Sequence, residues 1–235
     1  MDMEFAERTV IVTGAAGNLS RAVAAAFADR GANLVLVDLK EEALARVYGS
    51  GDKLLFAPAN LLDAAQAESV AQRAVERFGH IGVLCNLAGG FRMGEPVHAT
   101  SASTLDFLLD LNVRTLINMS HAVVPLMLAE GRGKVVNVGA FSAQKGAAMM
   151  GAYVAAKSAV IRLTESMAAE LREKNVNVNC VLPTIIDTPE SRASMPDADP
   201  ARWVAPADLA NVIAFLASDS ARAIHGAAVP VTGLS

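Results

Sequence analysis

Tyr153 and Lys157 stand four positions apart in the segment VVNVGAFSAQKGAAMMGAYVAAKSAV, residues 135 to 160. On a helix this spacing brings both side chains to one face. A phenol with a pKa near 10 is a poor base at neutral pH, and a neighbouring ammonium favours its phenolate form. The pair therefore suits the passage of a proton to or from a substrate atom. A chance Tyr-x-x-x-Lys has no function, and Lys157 then is a solvated helix residue. Thirteen residues before the tyrosine stands Ala140, and Ser142 follows two positions later.

A second group of residues suits a phosphate-bearing ligand. Gly14 and Gly17 lie in the turn that opens TGAAGNLSRAVAAAF, directly after the apolar run TVIVTG. A glycine turn between strand and helix lets backbone N–H groups approach a pyrophosphate at the positive helix end. The next apolar run, NLVLVD, ends in Asp38, 24 positions beyond Gly14. An acid about 20 residues on accepts hydrogen bonds from an adenosine ribose and repels a 2′-phosphate. Its other reading is a cap for the helix KEEALARV. No Lys or Arg lies in TGAAGN, so NAD(H) is expected over NADP(H), with Lys40 leaving NADP(H) open. Asn60 and the segment Asn86 to Gly90 also end apolar runs.

The elements that position these residues follow from hydrophobic patterning. Apolar runs fall at 9–14, 33–38, 53–58, 81–89, 134–139, 176–183 and 227–233. Their continuous apolar character predicts strands covered on both faces of a parallel sheet. Helical periodicity predicts helices near 18–30, 40–48, 63–78, 102–130, 152–174 and 206–218. The alternation implies one α/β domain over 1–235, a doubly wound, seven-stranded parallel Rossmann-type sheet with helices on both faces. The irregular stretch 184–205 is expected to be a functional substrate loop.

Composition excludes several functions. With 53% hydrophobic residues and a net charge of −4 in 235 residues, the chain buries a core and lacks a nucleic-acid surface. Neither a membrane span nor a basic N-terminal signal is visible, so a cytoplasmic protein is expected. Cys85 and Cys180 lie in apolar runs and read as buried hydrophobes, with no metal site expected.

Taken together, the motifs resemble the short-chain dehydrogenase/reductase family along essentially the whole chain. The signature T-G-x-x-x-G-x-G corresponds to Thr13 through Ser20, with Asn18 and Ser20 replacing glycines. Asn tolerates a left-handed backbone, so the turn is expected to survive at Asn18. N-N-A-G corresponds to Asn86-Leu87-Ala88-Gly89, and P-G-x-x-x-T to Pro183 through Thr188. The resemblance implies cofactor contacts from Gly14, Gly17, Asn18, Leu19, Asp38, Leu39, Asn60, Leu61, Asn86, Ala88, Gly89, Tyr153, Lys157, Pro183, Ile186 and Thr188. It also implies proton transfer by Tyr153 with Lys157, while hydride moves between a nicotinamide and a small polar carbonyl, alcohol or imine substrate.

Asn112, in LDLNVRT, matches the family's helix asparagine that holds a water for proton relay; its alternative is a back-bonding kink. Ser142, Phe91 and Met149 are candidate substrate contacts. Assembly as a homodimer or homotetramer through 102–130 and 152–174 is the family's pattern.

The family serine that bonds the substrate oxygen is Ala140 here. Three explanations stay open: Ser142 takes over, the substrate carries its own polarisation, or the protein is a non-catalytic dinucleotide-binding relative. Within the family, Ala140 and the segment LPTIIDTPESRASMPDADPARW resemble the quinonoid dihydropteridine reductase branch. An electron-poor imine of that kind needs a serine less, which favours an altered substrate over lost function.

Overall fold

The computed structural model describes residues 3–235. Its seven strands are β1 Thr9–Thr13, β2 Asn33–Val37, β3 Leu54–Phe56, β4 Val83–Asn86, β5 Gly133–Val138, β6 Val176–Pro183 and β7 Ala228–Val231. All pair in parallel in the order β3-β2-β1-β4-β5-β6-β7. The helices are α1 Asn18–Ala28, α2 Glu41–Tyr48, α3 Ala64–Phe78, α4 Ala102–Leu109, α5 Thr115–Glu130, α6 Gly151–Leu171, α7 Pro189–Ser194 and α8 Pro206–Ala217.

The strand runs are continuously apolar because each strand serves two cores. Val10 and Val12 of β1 pack with Val23 and Phe27 of α1 and Leu209 and Ile213 of α8. Ile11, between them, packs with Val70 of α3 and Met119 and Val123 of α5. Alternate side chains of a strand point to opposite faces, so one strand supplies both layers. Burying a side chain of this size contributes about 1.5–3 kcal/mol. Strand order reverses beside β1, where Ile11 aligns with Leu84 and Val12 with Cys85 of β4. A crevice at the carboxyl ends of those strands is where a doubly wound sheet binds ligands.

One expectation needs correction, and the 184–205 stretch gains detail. The helix predicted over 102–130 is broken by a five-residue π-helical segment, Asp110–Arg114. The stretch 184–205 is not structureless. It holds α7, which Thr188 caps by accepting from the Ser191 N–H and in which proline stands in the first turn. A parallel bridge between Ile186 and Val204 closes the loop at its base.

Candidate active site

The glycine turn is held from three sides. The Ala15 N–H donates to the Val37 carbonyl at 2.9 Å, and the Tyr48 hydroxyl donates to the Ala15 carbonyl at 2.6 Å. The Ala16 N–H donates to Asp38 Oδ2 at 2.9 Å. The β1 and β4 ends are joined by Thr13, whose Oγ1 accepts from the Leu87 and Ala88 N–H groups, both at 2.9 Å. Gly14 has φ +61°, and a Cβ there would lie 3.0 Å from Ala88 Cα. Both facts require glycine at this position.

Asn18 differs from the sequence expectation. It opens α1 in a right-handed helix, after the extended Gly17 that precedes it; the left-handed residue is Gly14. The side chain of Asn18 donates to Glu190 Oε2 at 2.8 Å. Ser20 is buried and donates its hydroxyl to the Thr13 carbonyl at 3.4 Å, so the added volume is accommodated. The N–H groups of the first helical turn, from Asn18, Leu19 and Ser20, have no acceptor one turn earlier in α1. These amides and the cradle at Gly14 fit a dinucleotide pyrophosphate.

Asp38 does not cap α2, whose N-cap is Lys40. Its carboxylate accepts from Ala16 N–H and from Leu39 N–H at 2.8 Å, leaving lone pairs for further donors. Burial pushes the Tyr48 phenol well above its ordinary pKa, and Asp38 adds to the rise. Tyr48 thus acts as a neutral donor to the turn, a part that local sequence does not reveal because Ala15 lies 33 residues away. At the β3 end, Asn60 Oδ1 accepts from Leu62 N–H at 3.1 Å, while Asn118 donates to the Leu61 carbonyl. Asn86 is buried and donates to Asn137 Oδ1 at 2.9 Å, but its own Oδ1 has no partner among the described residues.

Lys157 is buried and its Nζ donates to the Val138 carbonyl at 2.8 Å, on the last residue of β5. It is not a solvated helix residue. A Cβ on Gly89 would lie 3.3 Å from Lys157 Nζ and 2.8 Å from Asn112 Oδ1, so these three residues meet. Asn112 accepts from Gly90 N–H and donates to the Gly90 and Leu108 carbonyls. The bond to Leu108 is the back-bonding alternative, realised inside the π segment. The bonds to Gly90 join the π segment to the β4 exit.

The pKa of Tyr153 departs from expectation in sign. Burial pushes the phenol up to about 12, and burial pushes Lys157 down to about 8. In the free protein desolvation, not the ammonium, dominates the tyrosine. The Phe91 ring stands edge-on to Tyr153, with centroids 4.8 Å apart.

Ala140 is buried and follows the end of β5. Ser142 lies in a 3-10 turn, Phe141–Gln144, so the alternation that would align it with residue 140 in a continuing strand does not apply. Around the mouth Phe91, Met93, Phe141 and Met149 expose apolar surface. Met149 adopts φ +63°, and its carbonyl accepts from Gly94 N–H at 2.8 Å. On the far side Pro183 ends β6 and Ile186 forms the loop bridge. Thr188 accepts from Ser191 N–H and donates to Ser191 Oγ, both at 3.2 Å. Glu190, absent from the sequence expectation, joins this side to the glycine turn.

A strand-end crevice with a glycine turn, a carboxylate at the next strand end and a partly buried Tyr153 one turn from a buried Lys157 is the arrangement of a dinucleotide-dependent oxidoreductase. The short chain dehydrogenase family model matches residues 8–199, and the chain belongs to that family. It is similar to levodione reductase of Leifsonia aquatica, with 31% identity across 97% of this chain and 94% of the relative. Similarity to cis-4-hydroxycyclohexanecarboxylate dehydrogenase of Sinomonas cyclohexanicum is 32% identity, across 99% and 98%. A solved short-chain dehydrogenase/reductase from Brucella melitensis, described as glucose/ribitol dehydrogenase, superposes with TM-score 0.91 at 31% identity, covering 99% and 98%. The protein is an oxidoreductase of this family.

Proposed function

We propose that the protein is an NAD(H)-dependent reductase or dehydrogenase acting on a small carbonyl, alcohol or imine compound, with Tyr153 as proton donor and acceptor. The observation that carries this reading is the partly buried Tyr153 one helical turn from Lys157, which is itself buried beside Gly89 and Asn112. A bound nicotinamide dinucleotide supplies the hydride, or takes it up in the oxidative direction. At pH 7 the phenol of Tyr153 is protonated and suited to donate to a substrate oxygen or nitrogen. Lys157, held near 8, exchanges protons close to neutrality and restores the phenol after donation. Its bond to the Val138 carbonyl orients the ammonium, and Asn112 holds the Gly89–Gly90 wall beside it.

Ala140 removes one donor to the substrate oxygen, a contribution of about 2.7–4 kcal/mol where such a donor is used. The reading consistent with this is a substrate that is itself electron-poor, presented to the apolar mouth of Phe91, Phe141 and Met149. A quinonoid dihydropterin is the specific second reading, favoured by Ala140 and by the 182–203 segment. Cyclic ketones and ring alcohols are the other class, since two relatives are named for levodione and a hydroxycyclohexane carboxylate. Turnover of NADH with quinonoid dihydropterin and with a panel of cyclic ketones separates them. No turnover on any would sink the reductase reading.

Asp38 supports a preference for NAD(H), expected to be about tenfold in affinity, or about 1.4 kcal/mol. Assembly as a dimer or tetramer through α4, α5 and α6 is supported by exposed Leu105, Phe107, Ile117 and Leu128. Among the small α6 residues, Ala155 and Ala169 are exposed, whereas Ala156 and Ala168 pack inside the chain's own fold. A monomeric mass by light scattering at micromolar concentration rejects that assembly. No helix among the described residues is long and apolar enough to cross a membrane, consistent with the proposed cytoplasmic location.

A further inference from the structure

The positive end of α1 lacks a neutralising group of its own. No acid stands in its first turn, and Gly17 before it provides no side-chain cap. Besides Asp38, which accepts from the Ala16 N–H just before the helix, a carboxylate from 172 residues away reaches this end, where Glu190 Oε2 accepts from Asn18 Nδ2 at 2.8 Å. Glu190 forms no salt bridge among the described residues. Its neighbour Arg192 is committed to both oxygens of Asp187. A cleft of about 570 Å³ lined by Asn18, Arg21, Tyr48, Asp187 and Pro189 runs past the same helix end.

We propose that Glu190 sets the protein's affinity for its dinucleotide, by holding a carboxylate at the helix end that a pyrophosphate must share. The inference rests on the dinucleotide reading above. Like charges facing one helix end repel, and at this exposed contact salt screens the repulsion. Asn18 is the anchor of this device: a glycine at that position has no side chain to hold the carboxylate. Because Glu190 lies in the first turn of α7, capped by Thr188, its displacement by a pyrophosphate also pulls on the substrate loop. Cofactor arrival is thereby linked to the segment that closes at Ile186 and Val204. Glu190 acts on affinity and takes no part in proton transfer.

NADH and adenosine titrations, followed by fluorescence and calorimetry, test this on the unmodified protein, Glu190→Gln and Asn18→Gly. Glu190→Gln keeps an acceptor for Asn18 and removes only the charge. It is expected to bind NADH at least about fivefold more tightly, with the gain shrinking at high salt as screening increases. Asn18→Gly is expected to shift NADH affinity in the same direction, since the carboxylate loses its anchor. Adenosine, which lacks phosphate, is expected to bind all three proteins equally. Unchanged or weaker NADH binding by Glu190→Gln overturns the inference while leaving the dinucleotide reading intact. An equal gain for adenosine also overturns it, because the effect is then steric opening and not charge. Failure of all three proteins to bind NADH overturns the dinucleotide reading and this inference together.

Discussion

The cofactor side and the substrate side of the crevice are built from different materials. Around the glycine turn the groups available to the proposed cofactor are backbone N–H groups, and the side chains of Thr13, Asp38 and Tyr48 hold that backbone in place. Around Tyr153 the reactive groups are side chains themselves. The two sides consequently tolerate substitution differently. Asn18 and Ser20 replace glycines of the family signature, yet α1 still starts at residue 18 and Ser20 bonds to Thr13. Ala140 replaces one hydroxyl, and no neighbouring backbone group reproduces its chemistry. A site made of main chain keeps its function when side chains vary, whereas a site made of side chains changes function with a single residue.

The largest test of this contrast is Tyr153→Phe, which keeps the ring against Phe91 and removes the proton. It is expected to lower kcat by about 10²-fold or more, near 3 kcal/mol, with little change in NADH affinity. Steady-state kinetics together with NADH titration check both halves. Parallel losses in both would blur the division between the two sides.

Stability against pH probes the substrate side next. The fall of Lys157 from 10.5 to about 8 corresponds to about 3 kcal/mol. Between pH 8 and 10.5 the unfolded chain keeps a proton that the folded chain has lost, so stability rises with pH across that window. Above pH 9 the buried Cys85 and Cys180, and above pH 10 Tyr153, act in the opposite sense, since burial raises each and the folded state then holds the extra proton. Urea unfolding at pH 8 and pH 10 is expected to show a more positive change in stability in the natural protein than in Lys157→Met. Equal slopes would mean that Lys157 is hydrated in the folded state.

Asp38→Ala addresses the cofactor side with a smaller effect. Losing the carboxylate frees the Ala16 N–H and removes repulsion of a 2′-phosphate. The NADH preference is expected to fall by about tenfold, near 1.4 kcal/mol, measured by titrating NADH and NADPH. The smallest expected effect is that of Ser142→Ala, less than about fivefold in kcat because Ser142 lies in a 3-10 turn. A loss of 10²-fold would give Ser142 the family serine's part and point to an ordinary carbonyl substrate.

Much of the fold was legible because its cues are local. Apolar runs marked all seven strands, and Gly14 with Asp38 marked the turn and the acid at consecutive strand ends. Helix 102–130 was read as one piece because a π segment keeps helical periodicity almost intact; only Asn112 hinted at the break. The 184–205 loop looked irregular because α7 has six residues, too few for a periodic signal.

The sequence by itself determined the strand-helix alternation, the one-turn spacing of Tyr153 and Lys157, and the absence of a hydroxyl at residue 140. These depend on residues close in the chain, where periodicity and spacing translate directly into geometry. Tertiary structure alone decided that Lys157 is buried against Val138, that Tyr153 is raised and not lowered, and that Glu190 reaches Asn18. Those outcomes depend on desolvation and on contacts between distant segments, which exist only once the sheet and its covering helices have come together.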